Sequence, residues 1–133
     1  EKDACAGWFM ALDVDHFKAI NDTFGHPTGD EVLCGVAASL RESFSGDGAI
    51  GRIGGDEFAV ILKHPMEKAE LESRLDAFLQ SVSGILGEKT TVTCSIGAHA
   101  FVGAKDDREL MKKADLLLYQ AKHAGRARVQ MDV

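Results

Sequence analysis

Apolar positions change period several times along the chain, and each change marks an element. Residues 7–12 (GWFMAL) are apolar on both faces, as in a central strand covered on both sides. The run ends at Asp13-Val14-Asp15. Phe17, Ile20 and Phe24 then recur at helical spacing, with Asp15 as the expected cap and Gly25 as the stop before a His26-Pro27 break. Thr28-Gly29-Asp30-Glu31 reads as a capping box, and Val32, Leu33, Val36, Ala37, Leu40 and Phe44 give the next helix its stripe. After a small-residue turn at 45–48, residues 49–53 and 58–62 are strand-like on either side of Gly54-Gly55. Two adjacent glycines there are a strong hairpin signal, with Asp56 and Glu57 directly after the turn. His64-Pro65 ends the second strand. Leu71, Leu75, Phe78, Leu79 and Val82 mark a third helix. Residues 91–98 alternate cleanly, with Val92, Cys94, Ile96 and Ala98 on one face, which predicts a half-buried strand. Asp106, with Glu109 three further on, starts a last helix that closes at Gly125, and residues 128–131 can add a short edge strand.

The predicted order is β-α-α-β-β-α-β-α-β. This is an α+β layout, with helices covering an antiparallel or mixed sheet of five strands. No internal repeat, low-complexity tract or linker divides residues 1–133, so one domain is expected.

Composition narrows the function classes. Hydrophobic residues make up 45% and charged residues 27% of the 133 positions, which fits a chain with a real core. No apolar run approaches the roughly 20 residues a membrane span needs, so a soluble, cytoplasmic domain is expected. A full-length protein could still be membrane-attached through other segments, since the chain starts at Glu1 and reads as a piece of something longer. The net charge of −6 argues against nucleic acid as a partner, because non-specific binding there relies on a basic face. Cys5, Cys34 and Cys94 form no CxxC pair and lack zinc-ligand spacing with the histidines. They fit a reducing compartment.

The acids carry the candidate chemistry. If the first strand pairs beside the hairpin, Asp13 and Asp56 converge at one end of the sheet. Convergent carboxylates suit Mg²⁺, a hard cation that also keeps water and substrate phosphate in its shell. Two such ions can activate a hydroxyl and stabilise a leaving pyrophosphate. A helix starting after Asp15 aims the amides of His16 and Phe17 at phosphate, with Lys18 one turn in. Lys122 and Arg126 lie four apart, on one face at the C-terminus of the last helix. In isolation they read equally as charges favoured by the helix dipole. Together the set looks like a nucleoside triphosphate site.

The stretch DVDHFKAINDTFGHPTGDEVL (residues 13–33), then RIGGDEF, TVTCSIGAHA and ADLLLYQAKHAGRARV, resembles the GGDEF domain, the diguanylate cyclase family. Four separated motifs in the right order cover nearly the whole chain. The resemblance implies a fold like the palm of class III nucleotidyl cyclases, with a ferredoxin-like core, and condensation of two GTP into cyclic di-GMP. It implies that Asp13, the Val14 carbonyl and Asp56 ligate Mg²⁺ (or Mn²⁺), two ions per active site, with Glu57 close by. Asp56 or Glu57 would help deprotonate the attacking 3′-hydroxyl. Asn21 and Asp30 would bind the guanine edge, with His26 near the substrate. Lys18, Lys122 and Arg126 would hold the phosphates with the His16 and Phe17 amides, and Gly54 and Gly55 would let the ligand approach. Two mutual attacks require a homodimer, at least transiently, and the family implies an upstream sensory or regulatory domain.

The sequence departs from the family in places. The RxxD product-inhibition motif would fall at Ser45 and Gly48 and is absent. The usual N-terminal DxLTxLxNR-type segment is missing from residues 1–7. Ile53 stands where Tyr is frequent and Ala127 where Asn is. Rival readings are a non-catalytic nucleotide-binding regulatory module, a cyclase making another cyclic dinucleotide, and one giving cyclic GMP. Retention of Asp30 disfavours the second, and retention of the carboxylates disfavours the first.

Overall fold

The computed structural model describes residues 6–44, 46, 48–103 and 106–132. Its organising element is β1 (Ala6–Val14), which sits in the middle of a five-stranded sheet. Alternation sends Trp8, Met10, Leu12 and Val14 into one core and Phe9 and Ala11 into another, which is why the whole run is apolar. The first core is closed by α1 (Phe17–Phe24), α2 (His26–Phe44) and α3 (Lys68–Ser83), the second by α4 (Asp107–His123). The remaining strands are β2 (Gly48–Gly54), β3 (Glu57–Leu62), β4 (Cys94–Val102) and β5 (Val129–Met131).

The strand order is β2-β3-β1-β4-β5. β1 runs antiparallel to both β3 and β4, while β5 joins parallel to β4, so the sheet is mixed. The first four strands and their helical crossovers form the ferredoxin-like split βαβ arrangement. Element order and type agree with the sequence reading throughout.

Three local expectations change. No capping box forms at Thr28, because α2 already begins at His26 and leaves Thr28 in its first turn. Pro27 permits this: a first helical turn needs no N–H from it, and its fixed φ suits a helix start. The Gly29 amide donates to the Gly25 carbonyl at 3.2 Å, continuing that first turn. Asp15 does not cap α1; the N-cap is His16, in the left-handed conformation (φ 56°) and without a side-chain bond. Finally, β4 starts at Cys94 rather than residue 91 and is covered on both faces at its first half. Ser95 and Gly97 lie under α4, and a Cβ on Gly97 would stand 2.3 Å from both the Ala114 carbonyl oxygen and the Leu118 amide. Only glycine lets helix and strand backbones approach that closely.

Asp106 caps α4 as expected, its side chain accepting from the Arg108 amide at 3.1 Å. Among the described residues no helix is long and apolar enough to cross a membrane. Cys34 is exposed and Cys94 buried, where burial pushes its thiol well above the ordinary range; Cys5 lies outside the described residues. So does Ser45, the first position of the absent RxxD motif, whereas Gly48 opens β2. The segment before Ala6 is likewise outside them.

Candidate active site

The hairpin closes more tightly than its sequence suggests. Arg52 pairs with Phe58 and Gly54 with Glu57, and the extra residue between them, Ile53, bulges. Only Gly55 and Asp56 remain for the turn, with Gly55 left-handed at φ 44°. Asp56 therefore sits in the turn, not after it, and Glu57 opens β3. Arg52 pins this loop from below: its Nε and Nη2 donate to the Gly55 carbonyl at 3.0 and 2.7 Å. The sequence reading gave Arg52 no role, although a cation three residues before the turn was the available signal.

Pairing with β1 brings the acids together. Asp13 is directly opposite Glu57, and the Val14 amide donates to the Asp56 carbonyl at 3.2 Å. Cross-strand partners share a face, so Asp13 and Glu57 both project toward the α4 side. There the Lys122 ammonium pairs with Asp13 Oδ2. The other oxygen, Asp13 Oδ1, is buried and has no hydrogen-bond partner among the described residues.

This crowding of negative charge is felt. Burial, then the Asp13 charge, raises the Asp56 carboxyl above its ordinary value, against opposing pulls from its own backbone, Lys122 and Arg52. Glu57 is lifted to about 7 by burial first, then by the charges of Asp115 and Asp13 and a hydrogen bond shared with Asp115. Asp115 is a second residue that sequence reasoning missed. It stands seven positions before Lys122, two helical turns along the same face of α4, and that spacing was legible.

Hard oxygen donors, an orphaned buried carboxylate oxygen and mutually repelling acids are what a divalent cation satisfies. Among the described residues no three His, Cys, Asp or Glu side chains form a metal cage by themselves.

A second group of expected residues lies where α1 crosses α2. Gly25, the C-cap, donates to the Asn21 carbonyl at 2.8 Å and turns the chain sharply from one helix to the next. The Asn21 side chain then lies across Gly29, whose missing Cβ would stand 1.8 Å from Asn21 Oδ1. That amide oxygen is buried and also without a hydrogen-bond partner among the described residues. Asp30, next to Gly29, is exposed on α2, as is His26 at the helix start. Two buried acceptors without partners, Asp13 Oδ1 and Asn21 Oδ1, thus occur at two of the expected site residues.

Not every candidate joins these groups. Lys18 is exposed and pairs with Asp22 on its own helix at 3.0 Å. Phe17 is half-buried and packs on the larger core. Gly54 and Gly55 face open space, with nothing within 4 Å of a built Cβ. Arg126 is not on the α4 face with Lys122: the helix ends at His123, and Arg126 follows in a left-handed turn (φ 63°). Asp15 is buried and accepts from Thr93 Oγ1 at 2.7 Å, Ser95 Oγ at 2.7 Å and the Ala127 amide at 3.0 Å.

Comparison with known proteins identifies the family. The family model described as "Diguanylate cyclase, GGDEF domain" matches residues 2–128. The diguanylate cyclase DgcP of Pseudomonas aeruginosa is 42% identical over 123 residues, which cover 90% of this chain and 18% of that protein. The diguanylate cyclase DosC of Escherichia coli K12 is 37% identical over 126 residues, covering 92% of this chain and 27% of that one. The chain therefore spans less than a third of the length of these relatives. Among solved structures, the GGDEF domain of DgcB from Caulobacter crescentus, in complex with c-di-GMP, superposes with a TM-score of 0.85 at 30% identity over 96% of this chain and 78% of that one. The active GGEEF domain of a diguanylate cyclase from Vibrio cholerae gives 0.85 at 28% identity over 96% and 83%. Matched across nearly its whole length by family model, sequence relatives and fold, the chain belongs to the GGDEF diguanylate cyclase domain family.

Proposed function

We propose that this domain condenses two GTP into cyclic di-GMP with release of two pyrophosphates, as a homodimer in which each partner holds one GTP. The observation that carries the reading is the meeting of Asp13, Val14, Asp56, Glu57 and Lys122 at one end of the sheet, with Asp13 Oδ1 buried and unpartnered.

In this reading Asp13, the Val14 carbonyl, Asp56 and Glu57 hold Mg²⁺ (or Mn²⁺), two ions per site. Bound there, the ions supply charge neutralisation at the phosphates and lower the pKa of the attacking hydroxyl. Asp56 or Glu57 receives the 3′-hydroxyl proton, which the bound cations make easier to remove. The 3′-oxygen forms a bond to the α-phosphorus of the partner's GTP, the bond to the β-phosphate oxygen breaks, and pyrophosphate leaves. Lys122, Arg126 and Lys18, with the His16 and Phe17 amides, hold the phosphates. For Lys18 this requires release from its exposed pair with Asp22, which costs little.

Asn21 and Asp30 take the guanine edge, with His26 near the substrate. A carboxylate at position 30 accepts from N1–H and N2–H₂, which adenine lacks, so GTP is favoured over ATP. Open space above Gly54 and Gly55 leaves the hairpin backbone approachable. One domain has one set of acids, and two reciprocal attacks require two domains facing each other. The greater length of the relatives supports further domains in the whole protein, an upstream sensory or regulatory one in this reading, and a GTP substrate fits a cytoplasmic reaction.

The test is incubation with GTP and Mg²⁺ at high protein concentration, with products resolved by mass. Cyclic di-GMP, lost in Asp56→Ala, is the expected result. GTP binding without turnover, even under forced dimerisation, would make this a regulatory module instead.

A further inference from the structure

Asp15 stands two residues from Asp13 yet takes no part in the cluster of acids. It is 5% exposed, and both of its oxygens are engaged by donors from separate segments. Oδ1 accepts from Ser95 Oγ at 2.7 Å, and Oδ2 from Thr93 Oγ1 at 2.7 Å and from the Ala127 amide at 3.0 Å. Its own amide donates to the Thr93 carbonyl at 2.9 Å. Satisfied in this way, the carboxylate needs no cation. It ties the end of β1 to the entry of β4 and, through Ala127, to the turn between α4 and β5.

That turn is unusual in its backbone. Gly125, Arg126 and Ala127 have φ of 126°, 63° and 51° in succession, and the last two are not glycines. Left-handed backbone crowds a Cβ against the following carbonyl, so two such residues together must be held by something outside themselves. From α4, the Ala121 carbonyl accepts from the Arg126 amide at 3.0 Å, and within the turn region Arg128 Nε donates to the Arg126 carbonyl at 3.1 Å. The anchor from the β1 side is Asp15, at the Ala127 amide. Because α4 has already ended, the course of the exposed Arg126 is set by this turn and not by helical periodicity.

We infer that Asp15 is a positioning residue, whose buried carboxylate holds the left-handed turn at 125–127 and thereby sets Arg126 for the nucleotide phosphates without touching them itself. The inference rests on the proposed GTP site. Charge-assisted hydrogen bonds are the stronger kind, so neutralising the acceptor weakens the clamp while preserving its shape.

The experiment is a double-mutant cycle on the whole domain, reading affinity for a non-hydrolysable GTP analogue with Mg²⁺. Asp15→Asn should weaken binding about tenfold, and Arg126→Ala by a similar factor. The double variant should bind no worse than Arg126→Ala alone, because Asp15 acts through that side chain. In turnover, Asp15→Asn should raise KM for GTP and lower kcat no further than Arg126→Ala does. Penalties that multiply in the double variant, or wild-type affinity in a folded Asp15→Asn, would overturn the inference. If Asp15→Asn does not fold, Thr93→Val removes one donor from Oδ2 and should weaken binding about threefold, again only when Arg126 is present. A nucleotide-free readout separates this inference from the functional reading. Amide exchange at Ala127 should quicken about tenfold in Asp15→Asn, and unchanged exchange would refute the clamp. A wild-type domain that binds no GTP analogue would refute the site itself, while the exchange result would still judge the clamp.

Discussion

Replacing Gly29 with alanine should separate stability from recognition. Gly29 lies in ordinary helical backbone, where alanine is favoured over glycine by about 1 kcal/mol. Its new Cβ would start 1.8 Å from Asn21 Oδ1, 2.9 Å from Asn21 Cγ and 3.3 Å from Phe17 Cζ. Cβ contacts shorter than 3.0 Å are essentially never seen, so the Asn21 amide must swing aside while the backbone stays. Moving it costs the fold little, because its oxygen has no hydrogen-bond partner among the described residues to lose. The two terms offset each other, and the melting temperature should stay within about 4 °C of wild type. Nucleotide recognition should not survive so well. An amide displaced by more than an ångström cannot keep a hydrogen bond to the guanine edge, which loses about 1.4 kcal/mol, or tenfold in affinity. Thermal melts paired with titration of GTP and ATP analogues measure both sides. Asn21→Ala should reproduce the affinity loss, and the double variant should add nothing. An unchanged preference for GTP in Gly29→Ala would sink the assignment of Asn21. A collapse in stability would show that the α1–α2 crossing cannot accommodate the methyl at all.

Other outcomes follow from the same geometry. Gly97→Ala presses its methyl against backbone atoms of α4 on two sides at 2.3 Å, so it should destabilise by about 3 kcal/mol, roughly 10 °C in a thermal melt. An unchanged melt would mean that α4 lifts freely. The Glu57 carboxyl, lifted from 4.5 to about 7 in the folded state, binds its proton more tightly there than in the unfolded chain. Its contribution to stability therefore falls as pH rises from about 4.5 to 7. In metal-free buffer the wild-type melting temperature should drop across that window relative to Glu57→Gln, and Asp115→Asn should shrink the difference; parallel pH profiles would contradict this. Mg²⁺ at ten times its Kd should stabilise the wild type by about 1.4 kcal/mol. Asp13→Asn should abolish that gain, and a shift that persists would remove Asp13 from the metal site.

The fold was legible because its signals are local. An apolar run at 7–12, helical stripes and a double glycine each declare an element, and together they yielded the element order and a five-stranded sheet left as antiparallel or mixed, which the parallel β5 makes mixed. The convergence of Asp13 with the hairpin acids followed once β1 was set beside β3. What stayed hidden depends on register and on backbone sign. No spacing rule reveals that Ile53 bulges and so draws Asp56 into the turn. Asp15 looked like a cap because acids before helices usually are caps, whereas Thr93 and Ser95, 78 and 80 residues on, provide competing donors. Arg126 looked helical because its distance from Lys122 matches one helical turn. The left-handed turn that removes it from α4 involves Ala127, a residue with no propensity for that conformation. Pro27 was read as a break, although proline equally opens a helix.

The pairing of Asp13 with Lys122 spans 109 positions and that of Asp15 with Ala127 spans 112. The glycine hairpin, by contrast, closes within residues 48–62. Contacts of such long reach form late, after loop closure has been achieved by the rest of the chain. During synthesis the family's most recognisable motif would emerge early and fold beside a β1 whose acid still lacks its cation. Only when the last helix and the turn beyond it leave the ribosome do acids, lysine and clamp meet. A half-made domain would carry the signature without the assembled site.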